Sequence, residues 1–567
     1  MSSAGLPKHP HLDQLRRQAK EMKEAARGGD QAALTRLRPY LPADGSVTLA
    51  AAQLAVAREH GFASWARLKA EVELRTAEFA ERVRMFLQRS LSGSAGAARL
   101  LRADPSIATY DIRTAAMLGE VATVRRYLAA DPAVISRVDD ELAWPPLLYV
   151  CMSRWHRLVF PDPEQAAEEA VRRMSERAEG MVAVARLLLD AGTDPNVTAF
   201  DGPRLCTPLY AAAGRADHAA MTALLLERGA RPDDYTMYLA AFHAVPHRSA
   251  PGVIPGLRGP AGHDCLRLLL DRHRLPPTSV ALAAPISLGD AVGVQMMLDA
   301  GADPNQPLSG DLLGEAYRGT PDQLPVSAAI RLGCDAALLE LLLEYGGDAN
   351  GIGPDGLSAQ QIAVREGRPD LATLLVSHGA RVQSTPVDRF LTACAQADRV
   401  EAERLLREHP GLLGTLTEQD RGLIVAAADR GATEAIRLML DLGFPLDTRA
   451  TPDGATALLA AARSGSADAV RILIDAGADI EAHDSQRNES PLSWAVIGSG
   501  RRLGHHPEPD RVATVRTLLD AGADPEQAWA AGVFPELEVA RFLVERGLNV
   551  PGKDVAMMRH SLGLDRQ

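Results

Sequence analysis

The chain has 567 residues, and its 73 acidic side chains against 61 basic ones give a formal net charge of −12. That sign disfavours a protein held to nucleic acid by charge alone, and no apolar run approaches the roughly 18 residues of a membrane span. Aromatic residues make up only 4% of the chain, while alanine and leucine are abundant, which suits thin, closely packed helical layers. Cys151, Cys206, Cys265, Cys334 and Cys394 are far apart, with no Cys-x-x-Cys, and read as reduced, buried thiols of a cytosolic protein. The first residues have no apolar signal core, so classical secretion is not expected.

From the N-terminus, Leu12, Leu15, Ala19, Met22 and Ala26 line one face of a helix that Gly28-Gly29 ends. Asp30 can cap a second helix over residues 31–41. A third is expected over 48–60, closed by Gly61, and Ser64 can cap a fourth that begins at Trp65. Lys8, Arg16, Arg17, Lys20, Lys23, Arg27, Arg36 and Arg38 stand against Asp13, Glu21, Glu24 and Asp30, a net +4 that suits a solvated helix face or, alternatively, an anion-docking patch.

Beyond this segment one unit recurs, and residues 453–484 show it best. Asp453-Gly454 makes a turn and Thr456 caps a small-residue helix over 457–463. Gly465 breaks that helix, a second over 467–476 carries Val470, Leu473 and Ile474, and Gly477 supplies a left-handed end. Variants of the Leu-Leu-Leu-Asp-Ala-Gly-x-Asp-Pro-Asn phrase place the glycine, or its equivalent, at Gly192, Gly229, His273, Gly301, Gly346, Gly379, Pro410, Gly443, Gly477, Gly522 and Gly547. The undisturbed intervals cluster near 33 residues, roughly one ankyrin repeat. First-helix phrases are Thr207-Pro208-Leu209-Tyr210-Ala211-Ala212 and Ser490-Pro491-Leu492-Ser493-Trp494-Ala495, with proline where a missing N–H costs nothing.

On these motifs the chain resembles the ankyrin-repeat family. The resemblance implies an all-α solenoid of helix-turn-helix units with short β-hairpin loops. The expected organisation is an N-terminal helical segment over 1–75, an array of about 13 irregular repeats over 76–550 and a cap or tail over 551–567. Residues 12–34 and 51–73 are similar to the helical segment that precedes some bacterial ankyrin arrays. The family's first-helix histidine, which ties adjacent loops, is absent from every copy, so a less regular stack is expected. The intervals from His273 to Gly301 and from Gly522 to Gly547 leave no room for a full helix pair.

Insertions near 154–179, 245–262 and 498–510 fall between the two helices of a unit and should decorate one edge; the first should hold its own polar helix over 163–177. A fourth, near 307–323, should extend a hairpin finger. No phosphate loop or His-Glu-x-x-His is present, and Ser94 lacks a nucleophile's surroundings. His505-His506 beside Glu508 and Asp510 reads as an exposed loop rather than a metal site. Neither a catalytic residue nor a cofactor or metal site is expected.

The expected function is a non-catalytic, cytoplasmic interaction scaffold. The resemblance implies a protein partner held on the concave face and hairpin tips, with no small-molecule substrate. Three tips carry side chains suited to binding: Phe200 with Arg204, Tyr317 with Arg318, and Arg487 with Asn488. The alternatives are a nucleic-acid or membrane-surface adaptor using the basic N-terminal helix, and an enzyme with an unrecognised N-terminal module.

Overall fold

The structure, a computed structural model, describes residues 12–546 apart from 42–44, 63, 77, 93–95, 139–141, 158–166, 202–203, 245–261, 274, 314–316, 383–384, 451–453, 487, 498–509 and 529–536. The described residues divide into two compact units, one within Met1–Phe86 and Pro525–Gln567 and the other within Leu87–Asp524.

The first unit opens with α1 (Leu12–Arg27), α2 (Gln31–Leu37), α3 (Leu49–Glu59) and α4 (Trp65–Thr76). Leu15, Ala19, Met22 and Ala26 of α1 join Leu37, Ala52, Val56, Leu68 and Val72 in one apolar cluster. Each expected cap forms: the N–H of Ala33 donates to Asp30 Oδ1 at 2.8 Å, that of Ala51 to Thr48 Oγ1 at 3.1 Å and that of Arg67 to Ser64 Oγ at 3.3 Å. The second helix is shorter than expected. It stops at Leu37 and tightens into a 3-10 turn over Arg38–Tyr40, because Pro39 has no N–H to continue the ladder.

The second unit is a succession of helix pairs. They are α5 (Phe79–Leu91, shared with the first unit) and α6 (Gly96–Ala103); α7 (Ile112–Leu118) and α8 (Val121–Ala130); and α9 (Pro146–Met152) and α10 (Ala167–Asp190). A π-helical Tyr210–Ala216 then pairs with α11 (Ala219–Glu227), followed by α12 (Asp234–Ala244) with α13 (Asp264–Arg272) and α14 (Ser279–Leu288) with α15 (Ala291–Asp299). After the short α16 (Gly310–Leu313) come α17 (Pro325–Arg331) with α18 (Ala336–Glu344), α19 (Ala359–Arg365) with α20 (Pro369–Ser377), and α21 (Pro386–Ala395) with α22 (Arg399–Glu408). Two single turns, α23 (Leu412–Thr415) and α24 (Glu418–Arg421), lead to α25 (Leu423–Asp429) with α26 (Thr433–Asp441). Then follow α27 (Ala457–Ser464) with α28 (Ala467–Asp475) and α29 (Pro491–Ile497) with α30 (Arg511–Asp520). The first unit's α31 (Leu537–Glu545) is the last described helix, with Val539, Ala540 and Leu543 buried.

The reason for small residues is plain in α27. Every side chain from Ala457 to Ala462 is buried, because α25 packs on one side of this helix, α29 on the other and α28 behind it. α28 is two-faced: Ala469, Val470, Ile472 and Leu473 are buried, while Asp468 and Arg471 form an exposed pair. Gly465 (φ 79°) and Gly477 (φ 92°) take the left-handed positions that end the two helices.

The loops are fastened by asparagine. Asn196 accepts from the N–H of Arg231 at 2.9 Å and donates Nδ2 to the carbonyl of Gly229 at 3.1 Å. Asn305 makes the same two bonds to Asp348 N (2.7 Å) and Gly346 O (2.9 Å), and Asn350 makes them to Arg381 N (2.8 Å) and Gly379 O (3.1 Å). These asparagines close their own turn, since their N–H groups donate to Asp194, Asp303 and Asp348 at 2.8 Å. They also tie it to the next repeat, which offsets the missing first-helix histidine.

Two further expectations are corrected. The interval from His273 to Gly301 holds a complete pair, α14 and α15, because the chain turns directly from one helix to the other through Gly289 (φ 64°) and Asp290. Of the separate helix expected over 163–177, in the insertion near 154–179, the described residues 167–177 instead belong to a longer one. They are continuous with the second helix of the repeat, as α10. Gly180 permits this: a Cβ there would stand 2.9 Å from the carbonyl oxygen of Gly119, so backbone packs directly on backbone. Most of the insertions near 245–262 and 498–510 lies outside the described residues. The fourth is closed as a finger by Leu308 and Gln323, which exchange N–H···O bonds of 2.8 and 2.9 Å.

Three outcomes check this packing. Leu473→Ala, at a fully buried position between neighbouring pairs, should cost about 2–5 kcal/mol. Its added hydrogen exchange should concentrate in α26–α30 and spare α1–α3. Gly180→Ala, a change that stabilises an ordinary helix interior by about 1 kcal/mol, should instead lower the melting temperature. Asn350→Ala should cost about 1–3 kcal/mol by leaving backbone groups of the next loop without partners.

Candidate functional site

The last residues of several first helices fall in one register. α17 ends on Arg331, α19 on Arg365 and α25 on Asp429, and Arg463 lies one residue from the end of α27. With the loops that precede these helices they line a cavity of about 830 Å³, walled also by Tyr317, Gln323, Asp355, Glu366, Glu418, Gln419 and Arg449. Pro321, Pro354, Ile362, Val425 and Ala426 supply its apolar lining.

Arg365 forms the centre of the wall. Its Nε and Nη2 donate to Asp420 Oδ1 at 2.8 and 2.7 Å, and its Nη1 donates to Asp388 Oδ1 at 3.1 Å. The side chains are 10%, 5% and 5% exposed, so this triad is desolvated and depends on complete pairing. Each carboxylate also closes a helix start. Thr385 Oγ1 donates to Asp388 Oδ2 at 2.7 Å, and the N–H of Thr417 donates to Asp420 Oδ2 at 2.9 Å. Gln361, held in a capping box with Ser358, donates Nε2 to Asp388 at 3.2 Å. One buried network thus fixes α19, α21 and α24 against each other.

Around it the other charges are matched. Arg331 pairs with Asp355 and stands 4.0 Å from Glu366. Arg463 pairs with Asp429 at 3.1 Å and lies over the Trp494 ring. Arg430 donates to the carbonyl of Glu366, and burial lowers its pKa to about 10. Glu366 differs from its neighbours. Protein encloses it, although 36% of its side chain still meets water, and desolvation raises its pKa to about 7 against the opposing pull of Arg331 and Arg430.

A second surface lies at the hairpin of β1 (Ala199–Asp201) and β2 (Arg204–Cys206). Phe200 and Leu205 stand opposite each other in the antiparallel register, 64% and 57% exposed. Trp144 Nε1 donates to the Phe200 carbonyl at 2.7 Å, and Arg204 lies over the Tyr235 ring at 5.0 Å. Tyr235, Tyr238 and Phe242 share one face of α12, and with Tyr210 they form a stacked row with centroids 5.7–6.3 Å apart.

The residues expected at the tips are therefore placed differently from one another. Phe200 is exposed, and Arg204 is exposed while resting on Tyr235. Tyr317 is half-buried in the cavity wall, donating its hydroxyl to the Arg331 carbonyl at 3.1 Å, and Arg318 beside it is exposed. Asn488 is exposed with φ 56°, a left-handed turn that asparagine tolerates, and Arg487 lies outside the described residues. Of these, Tyr317 alone lines the cavity. Leu205, Arg365, Asp388, Asp420 and Glu366 were not singled out from sequence. The recurrence of Arg331, Arg365 and Arg463 at first-helix ends was the available signal.

On the N-terminal basic face, Arg36 is tied to Glu59 at 2.7 Å and Arg27 donates to the Val47 carbonyl at 3.3 Å. Among the described residues no group of His, Cys, Asp and Glu is arranged to hold a metal ion, and no helix is long and apolar enough to cross a membrane.

Helix pairs, turn asparagines and a polar face of first-helix ends define a repeat protein of the ankyrin class. Family models bear this out over part of the chain: a single ankyrin repeat matches residues 204–236, and a model of three ankyrin repeat copies matches 390–484 and 423–529. Among solved structures, the crystal structure of the human ASB11 ankyrin repeat domain is 18% identical, covering 50% of this chain and 97% of that one with a TM-score of 0.20. No curated protein matches. Residues 204–236 and 390–529 are thus matched as ankyrin repeats. Ankyrin repeats as a class mediate protein–protein interaction, and proteins built from them are typically non-catalytic.

Stability should report the two kinds of buried charge. Arg365→Met leaves Asp388 and Asp420 without their cation and should cost about 3–5 kcal/mol in denaturant unfolding. Glu366 behaves oppositely. It ionises near 4.5 in the unfolded chain but near 7 when folded, so the folded state holds the extra proton between those values and stability falls as pH rises through them. Glu366→Gln removes this loss. Its melting temperature should therefore gain on the parent between pH 5 and pH 8; a constant difference would contradict the assignment.

Proposed function

We propose that this protein is a cytoplasmic scaffold that holds a protein partner on the face formed by its first-helix ends and the loops preceding them. The observation that carries the reading is the 830 Å³ cavity, which is built from the repeated register that ankyrin units present in common. Its walls are fixed in advance by the Arg365 network, which lowers the ordering cost of binding. The exposed Phe200–Leu205 pair with Arg204 offers a second contact rich in anchoring side chains. Five buried cysteines, none in a disulfide among the described residues, support a reducing compartment.

The test compares capture by the immobilised full chain. One variant carries Phe200→Ser, Arg204→Ala and Leu205→Ser; another carries Arg318→Ala and Glu418→Ala at exposed positions by the cavity. A control removes the exposed Asp468–Arg471 pair of α28. At least one of the first two should weaken retention of a specifically captured protein by tenfold, about 1.4 kcal/mol, with melting unchanged, while the control retains it. Equal retention by all three would refute the reading.

A further inference from the structure

The charges lining the cavity are unequally satisfied. Each of the four arginines already has acceptors. Arg331 bonds Asp355, Arg365 lies between Asp388 and Asp420, Arg463 bonds Asp429, and Arg449 donates to the carbonyls of Gly454 and His483 at 2.8 and 2.9 Å. Asp355 and Asp429 are matched by the same bonds, and Asp355 also accepts from Gln419 Nε2 at 3.3 Å. Two lining carboxylates are left. Glu418 is exposed. Glu366 is half-buried, and among the described residues its side chain accepts no hydrogen bond and has no ion pair closer than the 4.0 Å approach of Arg331. Gln323, buried in the same wall, has a side-chain oxygen without a donor. The unmet groups of the wall are then mostly acceptors, Glu366, Glu418 and the Gln323 oxygen, against one buried donor without a partner, Arg331 Nε. An anion would have to displace carboxylates from Arg331, Arg365 and Arg463, leaving only Arg449, which bonds carbonyls, whereas a cation at Glu366 displaces no hydrogen bond.

The geometry points to a socket for a cationic side chain, an arginine or lysine of the partner proposed above, whose N–H groups bond the Glu366 carboxylate while its hydrocarbon stem lies along Ile362 and Val425. The inference rests on that reading and names what the partner must present: a basic side chain within an exposed segment. The volume exceeds that of one side chain, so residues flanking the cation also enter. Glu418 adds a second carboxylate for a second base or for the approach of a basic segment.

The full chain can be titrated with three pools of labelled nine-residue peptides, randomised except for a central arginine, citrulline or glutamate. Citrulline keeps the shape of arginine and removes its charge. The arginine pool should bind at least tenfold more tightly than the citrulline pool at pH 8. Glu366→Gln, melting no lower than the parent, should abolish that preference, and Glu366→Asp should retain part of it. Equal binding of the arginine and citrulline pools, a preference for glutamate, or a preference that survives in Glu366→Gln would each overturn the socket. If the hairpin variant loses the captured partner while the pools bind alike, the partner reading stands and the socket alone fails.

Discussion

Each helix pair can bury its apolar side only against the pairs before and after it, and the rest of the structure depends on this. A unit of about 30 residues has too little interior for a core of its own. The first helices are therefore buried nearly all round, and alanine fills them because neighbouring backbones must come close. The Ala457–Ala462 run of α27 and the Gly119–Gly180 contact are two degrees of the same requirement. Since every first helix packs at the same register, their ends and the loops before them come into line.

That alignment also sets the electrostatics. Arg365 can meet Asp388 and Asp420 because the three residues open or close helices of successive layers, although they are distant in sequence. Removed from water, such a group must be fully paired. Glu366, the next residue along, is less fully removed from water but has no equivalent partner, and desolvation raises its carboxyl to about 7. One layer thus contains both a structural carboxylate pair and an acid of unmet valence. This contrast separates the paired part of the wall, which holds the stack, from the part left without a hydrogen-bond partner.

The repeat architecture was legible because it is written locally. Thr456 as a cap, Gly465 and Gly477 as left-handed ends, and Leu473 at helical spacing are facts about a few adjacent residues. Where local signals conflicted, the reading slipped. Pro39 ended α2 before its apolar pattern did. His273 stood as a marker ahead of a pair that turns directly through Gly289 and Asp290, and the polar character of residues 167–177 suggested a separate helix where α10 runs on without a break. The asparagine ties were half visible. Asp-Pro-Asn reads as a turn, and only the position of the next loop shows Asn196 reaching Gly229 and Arg231.

By itself the sequence determined the class of fold, the helix boundaries near their caps and glycines, and the burial of residues such as Leu473 and the five cysteines, since these follow from propensity and periodicity over one repeat length. It did not determine which charges meet. Asp388 and Asp420 look like ordinary helix-start residues, and Glu366 looks like a solvated glutamate after Arg365. Stacking decided their roles by placing residues from different repeats within a few ångströms and removing water from some of them. Desolvation and pairing depend on distance in space, and a linear pattern carries little of that.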